Sequence, residues 1–263
     1  MTDELFMEHA GVRLHYRIDG DELAPWLMLS NSLGTNLAMW EPQMPGLLQH
    51  FRVLRYDTRG HGLSNAPSAS CSIADLGWDA IALLDHIGIT QTHFCGLSLG
   101  GMTGMWLAAN QSTRIGRLVL CNTSPLMAPP ANWDTRIALV TKGGMASIAG
   151  NVIDRWFTAD FQARSPASIA IVHQMLLETP AAGYAACCAA IRDMDQRASL
   201  ASISHPTLVI AGTRDIATPP QDGKLIAERV AGSTYIELDA AHLSNWEQAA
   251  AFSACLSDFL QGT

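Results

Sequence analysis

Residues 92–110 constrain the fold of this chain more than any other stretch, because a serine stands there between two apolar segments of different character. Residues 92–97 form a short run typical of a strand, and residues 102–109 form a longer apolar run typical of a helix. Between them, Gly96 to Gly100 fits the pattern G-x-S-x-G, with Ser98 at its centre. In that pattern the serine occupies a sharp strand-to-helix turn, and the glycines let both elements approach closely. We interpret Ser98 as a nucleophile; the alternative is a glycine-rich turn with an incidental serine.

The length and composition of the chain favour one large domain, or one domain with a modest insertion. Its 263 residues can bury a large core, and its 48% hydrophobic and 15% charged residues exclude a disordered class. The formal net charge is -8 and no run of Lys or Arg occurs, so neither nucleic acid nor an anionic membrane surface is an expected partner. An anionic small substrate would therefore need a local positive group.

The first residues and the cysteines indicate a cytoplasmic protein. Residues 1–5 are acidic where a signal peptide would be basic, and no apolar run reaches the length of a transmembrane helix. The six cysteines show no C-x-x-C spacing. We expect them to be reduced core residues, which argues against a zinc site and against a disulfide framework.

Short apolar runs alternate with helical patterns in the first and last parts of the chain. This alternation predicts a mostly parallel sheet with helices on both faces, the α/β class. The first two runs meet at Ala10-Gly11 and predict a hairpin that is antiparallel to the strands that follow. A glycine-rich turn at residues 57–64 contains a potential Asp57–Arg59 ion pair. The predicted strands are residues 6–9, 12–19, 26–30, 51–56, 92–97, 117–122, 206–212 and 234–238, and the predicted helices are residues 40–50, 73–88, 102–109, 221–230 and 246–260.

The middle of the chain breaks this alternation. From Thr123 onwards, helical patterns are divided by prolines and by Gly143-Gly144, and no convincing strand appears before Pro206. We therefore predict a core of residues 1–122 and 206–263, interrupted by a helical insertion at residues 123–205.

A serine nucleophile needs a neighbouring base, which is usually a histidine held by a carboxylate. In the fold that carries this type of turn, the chain order is serine, acid, histidine. Of the nine histidines, only His173, His205 and His242 follow Ser98. His173 lies within the helical insertion, and His205 precedes a strand, at the wrong end of the sheet. His242 lies in a loop after the last strand and is the predicted base, with capping of the last helix as the alternative role.

The acid is sought among the aspartates near the carboxyl ends of the last strands. Asp215 follows the strand at residues 207–211 at the end where sites of open parallel sheets are found. Asp222 is already in a helix, and Asp239 is too close in sequence to His242 to reach round its ring. Asp215 is therefore the predicted acid, and the alternative is that it serves only a turn with Arg214.

The third requirement is a pair of backbone N–H groups that bind the developing oxyanion. One is expected from Leu99, which follows the nucleophile, and the other from the loop after the third strand, where Leu33 is the candidate. Because backbone N–H groups bind the oxyanion, the identity of the side chains at these positions does not help to confirm the two candidates.

Several motifs together resemble the α/β-hydrolase superfamily along essentially the whole chain. They are the turn around Ser98, the segment D-T-R-G-H-G-L-S at residues 57–64, and a lid between Asn122 and Pro206. More narrowly, the chain is similar to the 3-oxoadipate enol-lactone hydrolases of aromatic catabolism. The segments that carry this similarity are residues 30–35 (S-N-S-L-G-T, where most relatives have His-Gly at positions 31–32), residues 96–102 (G-L-S-L-G-G-M) and residues 189–195 (A-A-I-R-D-M-D).

This resemblance implies the α/β-hydrolase fold and hydrolysis of the enol-lactone to 3-oxoadipate through an acyl-enzyme on Ser98. It implies that no metal and no organic cofactor is required, and it leaves the oligomeric state open. Alternatives on the same triad are a carboxylesterase, a carbon-carbon bond hydrolase and a cofactor-free haloperoxidase. An alternative of another class is a ligand receptor that retains the fold.

The implied substrate carries a carboxylate, for which the insertion offers six cations. Arg192 stands beside Asp193 and Asp195, and we expect it to form a structural ion pair. Arg136 is the candidate for the substrate carboxylate, and the nearby Trp133 packs either on the substrate or on the core. The six cations are Arg136, Lys142, Arg155, Arg164, Arg192 and Arg197.

Overall fold

An eight-stranded sheet forms the centre of the computed structural model, which describes residues 5–65 and 70–262. Strands β1 and β2 form an antiparallel hairpin, β2 is antiparallel to β4, and the remaining neighbours are parallel. The predicted hairpin and mostly parallel sheet are confirmed, while the acidic residues 1–4 lie outside the described residues. The strands are β1 (Leu5–His9), β2 (Val12–Asp19), β3 (Trp26–Ser30), β4 (Arg52–Tyr56), β5 (Thr92–Leu97), β6 (Ile115–Cys121), β7 (Thr207–Gly212) and β8 (Thr234–Leu238), in the order β1-β2-β4-β3-β5-β6-β7-β8.

Helices cover the sheet and fill the segment between β6 and β7. Strand β7, which is buried at every position, shows the continuous apolar run expected of a strand covered on both faces. The helices are α1 (Met44–Leu47), α2 (Ile73–Ile87), α3 (Leu99–Asn110), α4 (Pro130–Gly143), α5 (Ala149–Trp156), α6 (Ala159–Arg164), α7 (Pro166–Glu178), α8 (Ala181–Asp193), α9 (Pro220–Arg229), α10 (Ser244–Glu247) and α11 (Ala249–Gln261).

Local sequence explains where these helices begin and end. Helix α2 starts with a capping box, in which the Ser72 side chain accepts from the Asp75 amide and the Asp75 side chain accepts from the Ser72 amide. It ends at Gly88, which has a φ of 81°. The helix predicted at residues 40–50, with a kink or shortening at Pro42 and Pro45, is found in shortened form. A 3₁₀ turn (Leu37–Gln43) that contains Pro42 precedes the short α1.

The segment between β6 and β7 is helical, with α4 to α8 and no strand of the sheet. We refer to residues 123–205 as the insertion. The division of the chain into a core and this insertion as separate units remains a prediction. Within the described residues, no helix combines the length and the apolar character that crossing a bilayer requires.

The turn at residues 57–64 does not contain the predicted Asp57–Arg59 pair. Asp57 instead binds Nδ1 of His15 at 2.8 Å and accepts the backbone amides of Leu37 and Leu63. Arg59 makes a two-pronged pair with Asp79, at 2.6 and 2.7 Å. Backbone amides occupy the Asp57 carboxylate, and the side chain of Arg59 is directed towards α2.

The order of the strands opens a crevice at the carboxyl ends of the parallel strands. In the chain β3 is followed by β4, but in the sheet β3 lies between β4 and β5, so connections leave it in opposite directions. Ligands of open parallel sheets bind at such a point, outside the carboxyl ends of the strands. Ser98 follows β5, Asp215 follows β7 and His242 follows β8, so these three residues lie at the carboxyl ends of the strands.

Replacement of Gly100 by alanine tests the close contact between the start of α3 and the end of β3. A Cβ on Gly100 would overlap the carbonyl of Ser30 at the end of β3. We expect Gly100→Ala to lower the free energy of unfolding by about 1–3 kcal/mol, the usual effect of overpacking, as measured by urea denaturation.

Gly150→Ala is the matched control, because Gly150 is an exposed residue of α5 and its Cβ would meet nothing within 4 Å. Alanine is there expected to stabilise the helix by up to about 1 kcal/mol. Equal effects of the two substitutions would contradict the proposed role of the contact.

Candidate active site

Ser98 lies at the turn between β5 and α3. Its backbone conformation, with φ 56° and ψ -113°, is one that residues other than glycine rarely adopt. Its amide donates to the carbonyl of Cys121 at 2.9 Å, and its carbonyl accepts from Oγ1 of Thr123 at 2.7 Å. A Cβ on Gly96 would overlap the backbone of Gly100, so the turn tolerates no side chain there. Neighbouring hydrogen bonds and tight packing thus hold the serine in a strained position.

His242 and Asp215 form a buried hydrogen-bonded pair, with 2.8 Å between Nδ1 and Oδ2. Asp215 also accepts from the amides of Ala217 and Thr218, the Thr218 hydroxyl and the Asn122 side chain. Burial alone would raise the pKa of Asp215, but the charge and hydrogen bond of His242 and the other donors outweigh it and lower that pKa. Asp215 is therefore a carboxylate that can orient the imidazole and stabilise its protonated form.

Ser98 and His242 line the same cavity, which has a volume of about 470 Å³. The hydrogen bonds of the described residues do not include one between Ser98 Oγ and His242. Such bonds are often long without a bound substrate and tighten in the complex. The arrangement brings together the three predicted members of the triad, and their roles as nucleophile, base and acid remain a prediction.

The rival histidines lie away from this cavity. His173 belongs to α7, and His205 precedes β7 at the opposite end of the sheet. His242 does not cap a helix, since α10 begins after Leu243 without a side-chain cap.

The rival aspartates have other partners. Asp239 is exposed and accepts from Nε of Arg214 at 2.8 Å, so Arg214 is not the partner of Asp215. Asp222 does line the cavity; burial raises its pKa, and a hydrogen bond with Ser124 opposes that shift.

The two candidate oxyanion donors belong to segments that are tied together. The amide of Gly100 donates to the carbonyl of Asn31 at 3.0 Å, which fixes the first turn of α3 to the loop after β3. The side chain of Asn31 bridges the carbonyl of Tyr56 and the indole of Trp40. Leu33 lines the cavity, whereas Leu99 is the first residue of α3, where the amide has no acceptor within its own helix. The pairing of these amides on an oxyanion remains a prediction.

Trp133 and Arg136, the candidate substrate-binding residues, both line the cavity. The guanidinium carbon of Arg136 lies 5.0 Å from the centroid of the Trp133 ring, and the indole donates to the carbonyl of Met127. Sequence reasoning did not select Arg155 and Tyr184, which line the same cavity.

Asn122 and Thr218, which both bind Asp215, were also missed. Asn122 could have been found, because it is a polar residue directly after β6, at the same edge as Ser98. Thr218 gave no comparable signal, since it lies in a loop whose course the sequence does not specify.

The cations of the insertion fall into two groups. Arg192 is in an ion pair with Asp193, as predicted, but its second partner is Asp134 and not Asp195. Asp195 instead accepts from both the backbone and the guanidinium of Arg197, because the chain turns back directly after α8.

Arg136 and Arg155, in contrast, take part in no ion pair with the described carboxylates. Burial lowers the pKa of Arg155, and the charge of Arg136 lowers it further. Tyr184 lies close enough to hydrogen-bond Arg136, although burial dominates and raises the tyrosine pKa. Two like charges thus line one cavity without an ion-pair partner among the described carboxylates, although Asp222 lines it too, and a bound anion would reduce the repulsion between them.

The insertion also holds the loop that carries His242. Glu247 accepts the amide of Ala241 at 3.1 Å and is bound in turn by the amide and hydroxyl of Thr158. On the other side of the histidine, the amide of Leu243 donates to the carbonyl of Trp156 at 3.0 Å. Both neighbours of His242 are therefore linked to residues 156–158, which we call the clamp segment.

Thr158→Val tests whether the clamp segment positions His242. Loss of the hydroxyl is expected to lower kcat/KM about tenfold with little change in KM, since a hydrogen bond to a carboxyl group that orients the loop is removed. Steady-state kinetics measure this effect, and urea denaturation checks that the variant is folded.

Thr158→Ser keeps the hydroxyl and should restore most of the rate. If the serine variant loses as much activity as the valine variant, the hydroxyl does not position the histidine.

Comparison with known proteins gives matches over most of the chain. The profile of the family described as alpha/beta hydrolase fold matches residues 25–249. A 3-oxoadipate enol-lactonase 2 of Acinetobacter baylyi is 42% identical over 242 residues, which is 92% of this chain and 91% of that protein. The enol-lactonase 1 of the same organism is 38% identical and covers 95% of this chain and 94% of its own length.

A solved structure agrees with these sequence matches. The crystal structure of the enol-lactonase from Burkholderia xenovorans superposes with a TM-score of 0.96 at 46% identity, over 98% of this chain and 100% of that one.

Proposed function

Because this chain belongs to the alpha/beta hydrolase fold family, we propose that it hydrolyses 3-oxoadipate enol-lactone to 3-oxoadipate in the catabolism of aromatic compounds. Family membership confirms the resemblance and the fold class predicted from the sequence. The enol-lactonase relatives support the substrate. The observation that carries the proposal is the cavity itself, where Ser98 and the Asp215-bound His242 face two arginines that lack carboxylate partners.

Acylation begins with attack of Ser98 Oγ on the lactone carbonyl. His242 takes the serine proton, and the Asp215 carboxylate stabilises the imidazolium that forms. The amides of Leu33 and Leu99 bind the oxyanion, an interaction whose loss typically costs about 10²–10³ in rate.

Ring opening then releases an enol oxygen, which is a better leaving group than an alkoxide and takes up the proton from His242, so that the imidazole is neutral again. This oxygen remains attached to the acyl group, because the substrate is cyclic, and the enol tautomerises to a ketone. Water activated by His242 attacks the acyl-enzyme, and the product leaves as 3-oxoadipate.

The substrate carboxylate binds to Arg136 and Arg155. A planar guanidinium fits a carboxylate with two parallel hydrogen bonds, and the anion relieves the repulsion between the two like charges. Both arginines line the same cavity as Ser98, so binding of the carboxylate there limits how the lactone is oriented towards the nucleophile. We further propose a cytoplasmic location, which the free thiols of the six cysteines favour.

Paired kinetics on an anionic and a neutral substrate test this function. The natural protein is expected to turn over the enol-lactone repeatedly, with kcat/KM well above that for p-nitrophenyl acetate. Arg136→Gln should lower kcat/KM for the lactone about 10–100-fold, mainly through KM, because a charged hydrogen bond is lost. The same substitution should leave the neutral ester nearly unaffected, and Arg155→Gln should act similarly.

Arg197→Gln is the matched control, since Arg197 is exposed and paired with Asp195 outside the cavity. An equal fall in kcat/KM for both substrates would show that Arg136 does not bind the substrate carboxylate. Better turnover of the neutral ester by the natural protein would favour a generic esterase, and a single turnover of either compound would favour a receptor.

The pH dependence of the acylation rate identifies the base. The pKa of Asp215 is held below its usual value, so this carboxylate stays ionised throughout the mildly acid range. A fall in rate from neutral to mildly acid pH is therefore expected to report the base that accepts the Ser98 proton, and not protonation of Asp215. Stopped-flow acylation measures this limb, and a flat profile would contradict the assignment of His242.

A further inference from the structure

Two pairs of cysteine sulfurs lie within contact distance in this chain, and they differ in their surroundings. Cys95 and Cys121 belong to the neighbouring strands β5 and β6, with 3.9 Å between their Sγ atoms. Both are fully buried, and burial raises the pKa of the Cys121 thiol. A buried thiol that stays protonated is inert.

The second pair joins the core to the insertion. Cys71 precedes the first residue of the capping box of α2, is only partly buried, and lies 4.0 Å from Cys187 of α8, measured between the Sγ atoms. The Cys71 thiol also points at the carbonyl of Ala186, and the Cys187 thiol at the carbonyl of Arg59. Both sulfurs thus occupy a defined contact between α8 and the core.

The two thiols of this pair are unequal. The contact with Cys187 lowers the pKa of Cys71, and the nearby guanidinium of Arg59 adds to this effect against the opposing influence of burial. The contact with Cys71 and burial both raise the pKa of Cys187. A partly exposed thiol that lies 4.0 Å from a fully buried one is the arrangement of an attacking and a resolving cysteine.

We propose that Cys71 and Cys187 form a redox-active dithiol, which hydroperoxides oxidise to a disulfide that links α8 of the insertion to the core. The Cys71 thiolate attacks the peroxide, the O–O bond breaks, and an alcohol or water leaves with one proton. The Cys187 sulfur then attacks the Cys71 sulfenic acid, the S–O bond breaks, and water leaves with the thiol proton. Two electrons pass from the two thiols to the peroxide.

The disulfide would restrain a wall of the cavity. Helix α8 carries Tyr184 and Ile191, which line the cavity, and Cys187 lies between them. The sulfurs must approach from 4.0 Å to about 2.05 Å. A Cβ on Gly183 would overlap the carbonyl of Gly60, so α8 already rests against the core and Cys71 makes the movement. The bond would close a loop between positions 116 residues apart.

Oxidation of the full chain with hydrogen peroxide tests this inference. Intact mass is expected to fall by two hydrogens, and peptide mapping should recover Cys71 linked to Cys187. Because the bond constrains the unfolded chain, Tm should rise by about 4 °C or more, and dithiothreitol should reverse both changes.

Single variants separate the pair from the other cysteines. Cys71→Ser and Cys187→Ser should each abolish the cross-link and the rise in Tm, whereas Cys255→Ser should keep both. Conversion of Cys71 to a sulfinic acid with Cys187 still reduced would overturn the proposal. A cross-link from Cys187 to Cys188, whose pKa burial raises to about 12, would also overturn it.

Discussion

The contact between the first turn of α3 and the ends of β3 and β5 is the constraint on which the rest of the site depends. Gly96 and Gly100 leave no room for a Cβ, and this lets α3 begin directly against both strands. Ser98 is consequently forced to a φ of 56° and faces the crevice. The same contact ties the loop that carries Leu33 to the helix that begins with Leu99. One packing restriction therefore sets the position of the nucleophile and of both candidate oxyanion donors.

Local charge, and not the net charge of -8, decides what the cavity can bind. The buried carboxylate of Asp215 is surrounded by donors. Arg136 and Arg155 line the cavity without ion-pair partners among the described carboxylates, although Asp222 lines it as well. The candidate anion site is therefore the part of the cavity around these two arginines, and a net negative chain does not exclude it.

Sequence patterns predicted those features that depend on neighbouring residues along the chain. The bounds of β2, β3, β5 and β8 agree with prediction, because each is a run of residues typical of strands that is bounded by turn residues. The candidate triad could be located because its members follow strands in a fixed order. Arg192 pairs with its neighbour Asp193 as predicted, but other partners of charged side chains could not be predicted. Arg59 binds Asp79 and Asp195 binds Arg197, choices set by how a turn or a helix end is oriented. Arg155 reaches the cavity only through the packing of α5, which no periodicity specifies.

The insertion cannot be regarded as a specificity element laid over an independent catalytic core. Its residues Arg136 and Arg155 face the substrate space, while its clamp segment binds the chain on both sides of His242. A change in the packing of α5 would therefore move the candidate anion-binding side chain of Arg155, and through Trp156 at its end it would also move the loop that carries His242. Among the described residues, helices α4 and α7 make no hydrogen bond to the clamp segment. Substitutions that alter substrate choice should consequently be tolerated better in those helices than at residues 156–158. The hydrogen bonds of residues 156–158 hold the loop of His242, so a change there would affect the candidate base as well as the cavity.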